Sequence, residues 1–179
     1  MVADIREEAL LTLQGRGAIL EVARQVSDVL RAEELEGAVI GGVAVVLHGH
    51  VRTTADVDVF ALDHGRLATA LRDRGFDFEP HQRQFVRDGV PGYLVTKSQL
   101  EVAPSRYEDR EGVLTVSLAD LISIKLRTGT TDLLRAQDLA DVIGLIEANG
   151  LTSAFTPKIR RELRPEFRKL VEAVARRGR

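Results

Sequence analysis

Cysteine and tryptophan are both absent from the 179 residues. Without cysteine there is no disulfide, no thiolate zinc site and no cysteine nucleophile. Aromatic residues make up 4% of the chain against 44% apolar residues in all, so the core must be aliphatic. An excess of one charge is lacking too: 25 Lys and Arg against 27 Asp and Glu leave a formal net charge of −2. A bulk electrostatic grip on nucleic acid or membrane is therefore not indicated, and any polyanion site must be local. No apolar run reaches membrane-spanning length. The start, Met1-Val2-Ala3-Asp4-Ile5-Arg6-Glu7-Glu8, lacks the basic head and apolar stretch of a signal peptide. These absences predict a soluble cytoplasmic protein with no membrane partner. The length suits one domain, or one with a small appendage.

What is present is a change of periodicity along the chain. Residues 4–35 are helical in pattern, with Ile19, Leu20, Val22, Ala23, Val26, Val29 and Leu30 on one face, and Gly15 and Gly17 dividing a short leading helix from a longer one. Ala38-Val39-Ile40 is a short apolar strand running into Gly41-Gly42, and Val43 to Leu47 reads as a short buried helix stopped by Gly49. Val57, Val59 and Phe60 interleave with Asp56 and Asp58 as a strand does. Gly65 to Arg74 is a compact amphipathic helix, and Gln84–Arg87 and Tyr93–Val95 flank the turn 88–92 as a hairpin. The polar stretch 101–111, which contains Pro104, reads as a loop before a last strand over Val113–Val116. From Ser117 the pattern is helical: Ser117 and Asp120 resemble a capping box, Gly129 is expected to end the first helix, 133–148 forms a second (Leu134, Leu139, Val142, Ile143, Ile146), and Pro165–Arg177 forms a basic last one. The expectation is an α/β fold, a small mixed sheet flanked by helices over 1–116, with an all-helical region over 117–179 packed on it.

One stretch is rich in chemistry. Asp56 and Asp58 are two apart, which in a strand puts both carboxylates on one face with Cα atoms roughly 6–7 Å apart. Carboxylates that close repel unless donors or a cation lie between them. A hard divalent ion such as Mg²⁺ takes such oxygens and completes its shell with substrate phosphates. The bland alternative is a solvated face of an edge strand. Gly41 and Gly42, at a strand-to-helix junction, let the backbone approach a ligand closely, the usual means of cradling phosphate; a tight turn would also need glycine. Arg52 and Thr54 lie between the two elements, and Arg52 is either a γ-phosphate ligand or an exposed side chain.

Lys125 shares the apolar stripe of Leu118, Leu121 and Ile122, where a lysine is either snorkelling to the edge or binding phosphate. Asp138 is placed to pair with Lys125 or Arg135, and Asp141 reads as a surface residue. His48 and His50 lack companions for a metal set, which favours a structural or substrate-edge role. The basic residues of the C-terminal segment, from Lys158 to Arg177, alternate with Glu162, Glu166 and Glu172, as on a solvated helix; an RNA groove is the lesser reading.

The run from Gly41 to Asp58 resembles the signature of the DNA polymerase β-like nucleotidyltransferase superfamily, in which a glycine turn precedes a helix and Asp-x-Asp lies on the next strand. Gly41-Gly42-Val43-Ala44 with His48-Gly49, Arg52, Thr54 and Asp56-Val57-Asp58 looks most like the AbiEii/AbiGii-type toxin branch. The segments Leu118–Lys125 and Arg135–Asp141 are similar to that branch's helical motifs, which carry a Lys and an Asp. The resemblance implies a minimal nucleotidyltransferase fold. It implies that Gly41 and Gly42, with Arg52 and Thr54, hold a nucleoside triphosphate, that Asp56 and Asp58 hold Mg²⁺, and that Lys125 and Asp138 complete the catalytic set. The implied reaction moves an NMP to a hydroxyl of tRNA-like RNA or a target protein, with a cognate antitoxin as a further implied partner. One position departs from the pattern: where many members carry a third carboxylate on a later central strand, register puts Tyr93, and the nearest acids, Asp88 and Glu101, read as turn or loop residues. A catalytically silent binding or regulatory module is the alternative that this departure raises.

Overall fold

The computed structural model describes residues 17–101 and 103–177. Its first element, α1 (Ala18–Ala32), buries the aliphatic face that its period requires, including Leu20, Val22, Val26 and Leu30. Gly17, at φ 106°, precedes it, so one of the two expected glycine breaks is present; the leading helix expected before it lies outside the described residues. Strand β1 (Gly37–Val39) runs into α2 (Gly41–Leu47), whose first turn contains both glycines rather than following them. Strand β2 (Val57–Ala61) comes next, then α3 (His64–Asp73), started by the Asp63 side chain accepting from the Arg66 N–H at 2.9 Å.

Strands β3 (Asp77–Glu79), β4 (Gln84–Arg87) and β5 (Val90–Val95) form an antiparallel ribbon. The β4–β5 turn is tighter than its composition suggests. Asp88 and Gly89, at φ 52° and 80°, make it alone, as a two-residue hairpin turn of type I′ demands. The expected loop over 101–111 is corrected across its second half. A one-turn helix α4 (Lys97–Leu100), capped by Thr96 and Gln99, leads to a strand, β6 (Tyr107–Arg110), which pairs with β7 (Val113–Val116). β6 occupies one end of the sheet and is half-exposed, so polar residues suffice to build it.

Among the described residues the seven strands form one mixed sheet in the order β3-β4-β5-β2-β1-β7-β6. β1 is antiparallel to β2 and parallel to β7; β2 is parallel to β5. Helices α5 (Leu118–Thr131), α6 (Ala136–Ala148) and α7 (Arg164–Arg177) follow, with short 3₁₀ turns at Leu133–Arg135, Ser153–Lys158 and Arg161–Leu163. Ser117 caps α5 by accepting from the Asp120 N–H at 3.2 Å. Gly129 does not end α5: it lies inside the helix where the Leu139 side chain of α6 leaves no room for a Cβ. Leu134 leaves the expected buried stripe, being 95% exposed on the 3₁₀ turn beside Leu133. No described helix is long and apolar enough to cross a membrane.

The period of two divides the core. Val57, Val59 and Ala61 of β2 join Val39, Leu94 and the apolar faces of α1 and α3 on one side of the sheet. Phe60 joins Ala38, Ile40, Val116 and the faces of α5, α6 and α7 on the other. Alternation therefore turns Asp58 toward the C-terminal helices, the side on which Tyr93 of β5 also falls.

Candidate functional site

Asp58 stands on a strand that is buried on both faces, so its carboxylate projects where Phe60 projects, into a largely apolar layer. Gly41 makes room for it. That residue takes φ 65°, and a Cβ there would collide with Asp58 Oδ2. Glycine is thus required twice over, by the left-handed backbone and by the approaching carboxylate. The next residue, Gly42, makes room in the same way for the turn, since a Cβ there would collide with Thr54 Oγ1 and crowd Arg52. Thr54, itself buried, reaches toward Asp56, with Oγ1 3.4 Å from Oδ1.

Burial, and after it the Asp56 carboxylate, pushes the Asp58 carboxyl up to about 6, against the downward pull of Lys125, Arg135 and Arg52. Among the described residues no group donates a hydrogen bond to the Asp58 carboxylate. Its ionised form is therefore favoured only by charges at a distance, a state that a close cation would relieve.

The cations come from the helices. Lys125 of α5 is 5% exposed and ion-paired with two carboxylates of α6, Asp138 Oδ1 at 2.8 Å and Asp141 Oδ2 at 2.7 Å. Thr128 Oγ1 donates to Asp138 Oδ2 at 2.6 Å, and Arg135 Nε lies 2.9 Å from the same oxygen. Burial pulls the Asp138 carboxyl up, but the Lys125 charge and hydrogen bond, with Thr128 and Arg135, outweigh it and hold its pKa below the ordinary carboxylate value. Lys125 is thus neither snorkelling nor alone, and Asp138 pairs with both Lys125 and Arg135.

One expectation is corrected, and one of the two alternatives for Arg52 falls. Asp141 is not a surface residue: it is fully buried, faces Lys125, accepts from Gln137 Nε2 at 2.9 Å and lies 3.0 Å from Arg52 Nε. Its spacing from Asp138 and Leu145, on the same face of the helix and also buried, held the signal. Arg52 is accordingly neither free nor simply exposed, since Asp141 ties it to α6.

These groups meet at a cleft of about 320 Å³ that is lined by Gly41, Asp58, Tyr93, Lys125, Arg135 and Asp138 among others. Gly42, Arg52, Thr54 and Asp56 are not part of that lining; Gly42 lies against Thr54 and Arg52, and Thr54 in turn reaches Asp56. Tyr93 sits directly across from Asp58 in the β2–β5 ladder, the register expected for it, and its hydroxyl accepts from Gln84 Nε2 at 3.3 Å. No described group of three or more His, Asp or Glu is placed to hold a metal ion. The protein's own offer to a cation here is two carboxylates, Asp56 and Asp58, which fits a hard ion that keeps water and substrate oxygens as its other ligands better than a fully caged one. His48 is structural. Its Nε2 lies 2.9 Å from the Val116 carbonyl, and burial lowers its pKa, so the neutral ring donates there. His50 packs against Gly144.

No protein-family model and no curated protein matches the chain. Solved structures do. An antigenic nucleotidyltransferase-like protein from Paracoccidioides brasiliensis aligns with a TM-score of 0.53 at 18% identity, over 86% of this chain and 87% of that one. ANT(2")-Ia, solved in complex with adenylyl-2"-tobramycin, aligns with a TM-score of 0.56 at 13% identity, over 83% of this chain and 96% of its own. The chain has a nucleotidyltransferase-like fold. Within that fold, the Asp-bearing strand β2, the glycine turn and the Lys-bearing helix α5 enclose a single cleft.

Proposed function

We propose that the chain is a Mg²⁺-dependent nucleotidyltransferase that moves an NMP from a nucleoside triphosphate to a hydroxyl of tRNA-like RNA or of a target protein, as a toxin of the AbiEii/AbiGii type. The observation that carries this reading is Asp58, a half-buried carboxylate pushed up to about 6 beside Asp56, without a hydrogen-bond donor and facing a cleft with Gly41 and Lys125. Such a group is costly to the fold, and strongly perturbed acids concentrate at functional sites. The nucleotidyltransferase-like fold supports the reaction class, and the adenylylated ligand of ANT(2")-Ia supports a nucleotide in the cleft.

Asp56 and Asp58 would hold the ion, which when bound supplies positive charge to the triphosphate and to the departing pyrophosphate. Gly41 lets the phosphates approach the backbone. Lys125, anchored by Asp138 and Asp141, lines the cleft and would offer its remaining N–H to a phosphate, and Arg135 in the same lining would add a second charge. Arg52 and Thr54 keep Gly42 and Asp56 in position. The acceptor oxygen bonds to the α-phosphorus, the bridging bond from that phosphorus to the β-phosphate oxygen breaks, pyrophosphate leaves and the hydroxyl proton passes to solvent.

Transfer of α-labelled NMP from each NTP to total RNA and to cell protein, with and without Mg²⁺, tests this. Wild type should label one acceptor, and Asp56→Ala/Asp58→Ala should not; equal behaviour sinks the reading. Tyr93 opposite Asp58 favours one second reading, a catalytically silent nucleotide-binding partner in a toxin–antitoxin pair. That reading expects Mg-NTP to raise the melting temperature by mass action while no label is transferred to any acceptor.

A further inference from the structure

The basic residues near the C-terminus are not spread evenly on a solvated helix. Five cationic residues, Arg106, Lys158, Arg160, Arg161 and Arg164, line one cavity of about 180 Å³ with Asp120 as its carboxylate, and the Lys158 ammonium also lies over the Phe155 ring. Asp120 is buried and held by neutral donors, the Ser105 and Arg106 N–H groups at 3.0 and 2.9 Å and Ser117 Oγ at 3.1 Å, and its single negative charge leaves the five positive ones in excess. Among the described residues none of the five cations forms an ion pair. Glu162, the acid adjacent in sequence, is turned to Arg127 instead, at 3.8 Å. Two of the guanidinium groups are half-buried and fixed by backbone carbonyls, Arg160 by Ala103, and Arg164 by Ile159 and Pro157 at 3.0 and 2.8 Å. Carbonyls hold these groups without neutralising them. Uncompensated charge that is also pre-positioned is what binding an anion requires.

We infer that this cavity binds phosphate groups, at a site separate from the cleft of Asp58. It lies on the other flank of α5, lined by Ala119 and Asp120, whereas the cleft is lined by Leu121, Ile124, Lys125 and Thr128. Its volume falls below the roughly 300 Å³ at which drug-sized pockets begin, and suits a phosphate or diphosphate rather than a nucleoside. The geometry of fixed guanidinium forks favours phosphate over a point anion. The phosphates belong either to the backbone of a polynucleotide or to a free inorganic anion.

The test uses the Asp56→Asn/Asp58→Asn protein, so that binding in the cleft does not contribute and the result stands apart from the transfer reaction. Anisotropy of a labelled single-stranded oligoribonucleotide and calorimetry with inorganic pyrophosphate are compared with Arg106→Gln/Arg161→Gln added, and with Arg168→Gln/Arg176→Gln added. Arg106 and Arg161 are exposed, so their loss should leave the fold intact. Their removal should weaken at least one probe by about tenfold or more, and for the oligoribonucleotide lower the salt slope by about 0.7 per lost phosphate contact. The Arg168/Arg176 pair, outside the cavity, should change neither. Weakening of the oligoribonucleotide alone assigns the phosphates to a polynucleotide, and weakening of pyrophosphate assigns a free anion; each supports the site. Absence of binding to both probes, or equal loss in both arginine pairs, overturns it.

Discussion

The two faces of one strand are built to different rules. Toward α1 and α3, β2 presents Val57, Val59 and Ala61, each fully buried against aliphatic neighbours such as Leu20, Leu67 and Leu71. Toward the C-terminal helices it presents Asp58 and Phe60, and there the carboxylates of Asp56, Asp58, Asp138 and Asp141 are set against Lys125, Arg52 and Arg135. On the first face stability follows volume. On the second it follows charge balance, and the balance is one cation short. A packed aliphatic layer alone would be the more stable choice, since buried ion pairs rarely outperform well-packed apolar side chains. The polar face therefore marks where the fold gives up stability for a site.

The sharpest contrast is between two near-isosteric substitutions. Lys125→Met removes the buried cation that Asp138 and Asp141 share, leaving only the more exposed Arg135 and Arg52 against them, and should cost up to about 3–5 kcal/mol. Leu67→Met on the aliphatic face should cost less than about 1.5 kcal/mol. Chemical denaturation of both variants measures the difference.

The next effect is on pH dependence. Asp58 has a folded pKa of about 6, against about 3.9 in an unfolded chain. Between those values the folded state holds more protons than the unfolded one, so without divalent ions stability should fall as pH rises from about 4 to about 6, by up to about 3 kcal/mol. Asp58→Asn should remove that share of the slope, read as unfolding free energy at each pH. No residue of the aliphatic face should alter it.

Gly41→Ala places a Cβ against Asp58 Oδ2 at φ 65° and should cost roughly 1–3 kcal/mol. Its destabilisation should shrink in the Asp58→Ala background, where the collision is gone and only backbone strain is left. Smallest is Tyr93→Phe, which loses one exposed hydrogen bond to Gln84 and should change stability by less than about 0.5 kcal/mol.

Much of this contrast is legible in the sequence, because alternation and helical period carry it. The period of two puts Asp56 and Asp58 on one side of β2, and the stripe of α5 puts Lys125 inward. What is not legible has physical reasons. β6 is hidden because a half-exposed strand at the sheet's end needs no apolar alternation. Gly129 reads as a stop because Leu139, the side chain that requires glycine there, lies on another helix. Asp141 reads as a surface residue because a charged residue is rarely buried unless paired, and its partners, Arg52 and Lys125, are far away in sequence. Helical spacing signals that Asp141 faces inward, but the partners that allow it are tertiary.

Under the proposed function the polar face binds a nucleoside triphosphate through Asp56 and Asp58. Calorimetric titration with a non-hydrolysable nucleoside triphosphate, at rising Mg²⁺, tests it most directly in wild type and in Asp56→Asn/Asp58→Asn. Wild type should bind with an affinity that rises with Mg²⁺, and the double variant, still folded by circular dichroism, should not bind. Equal binding by the two proteins, or no binding by wild type to any of the four nucleotides, would rule out a nucleotide site built on Asp56 and Asp58.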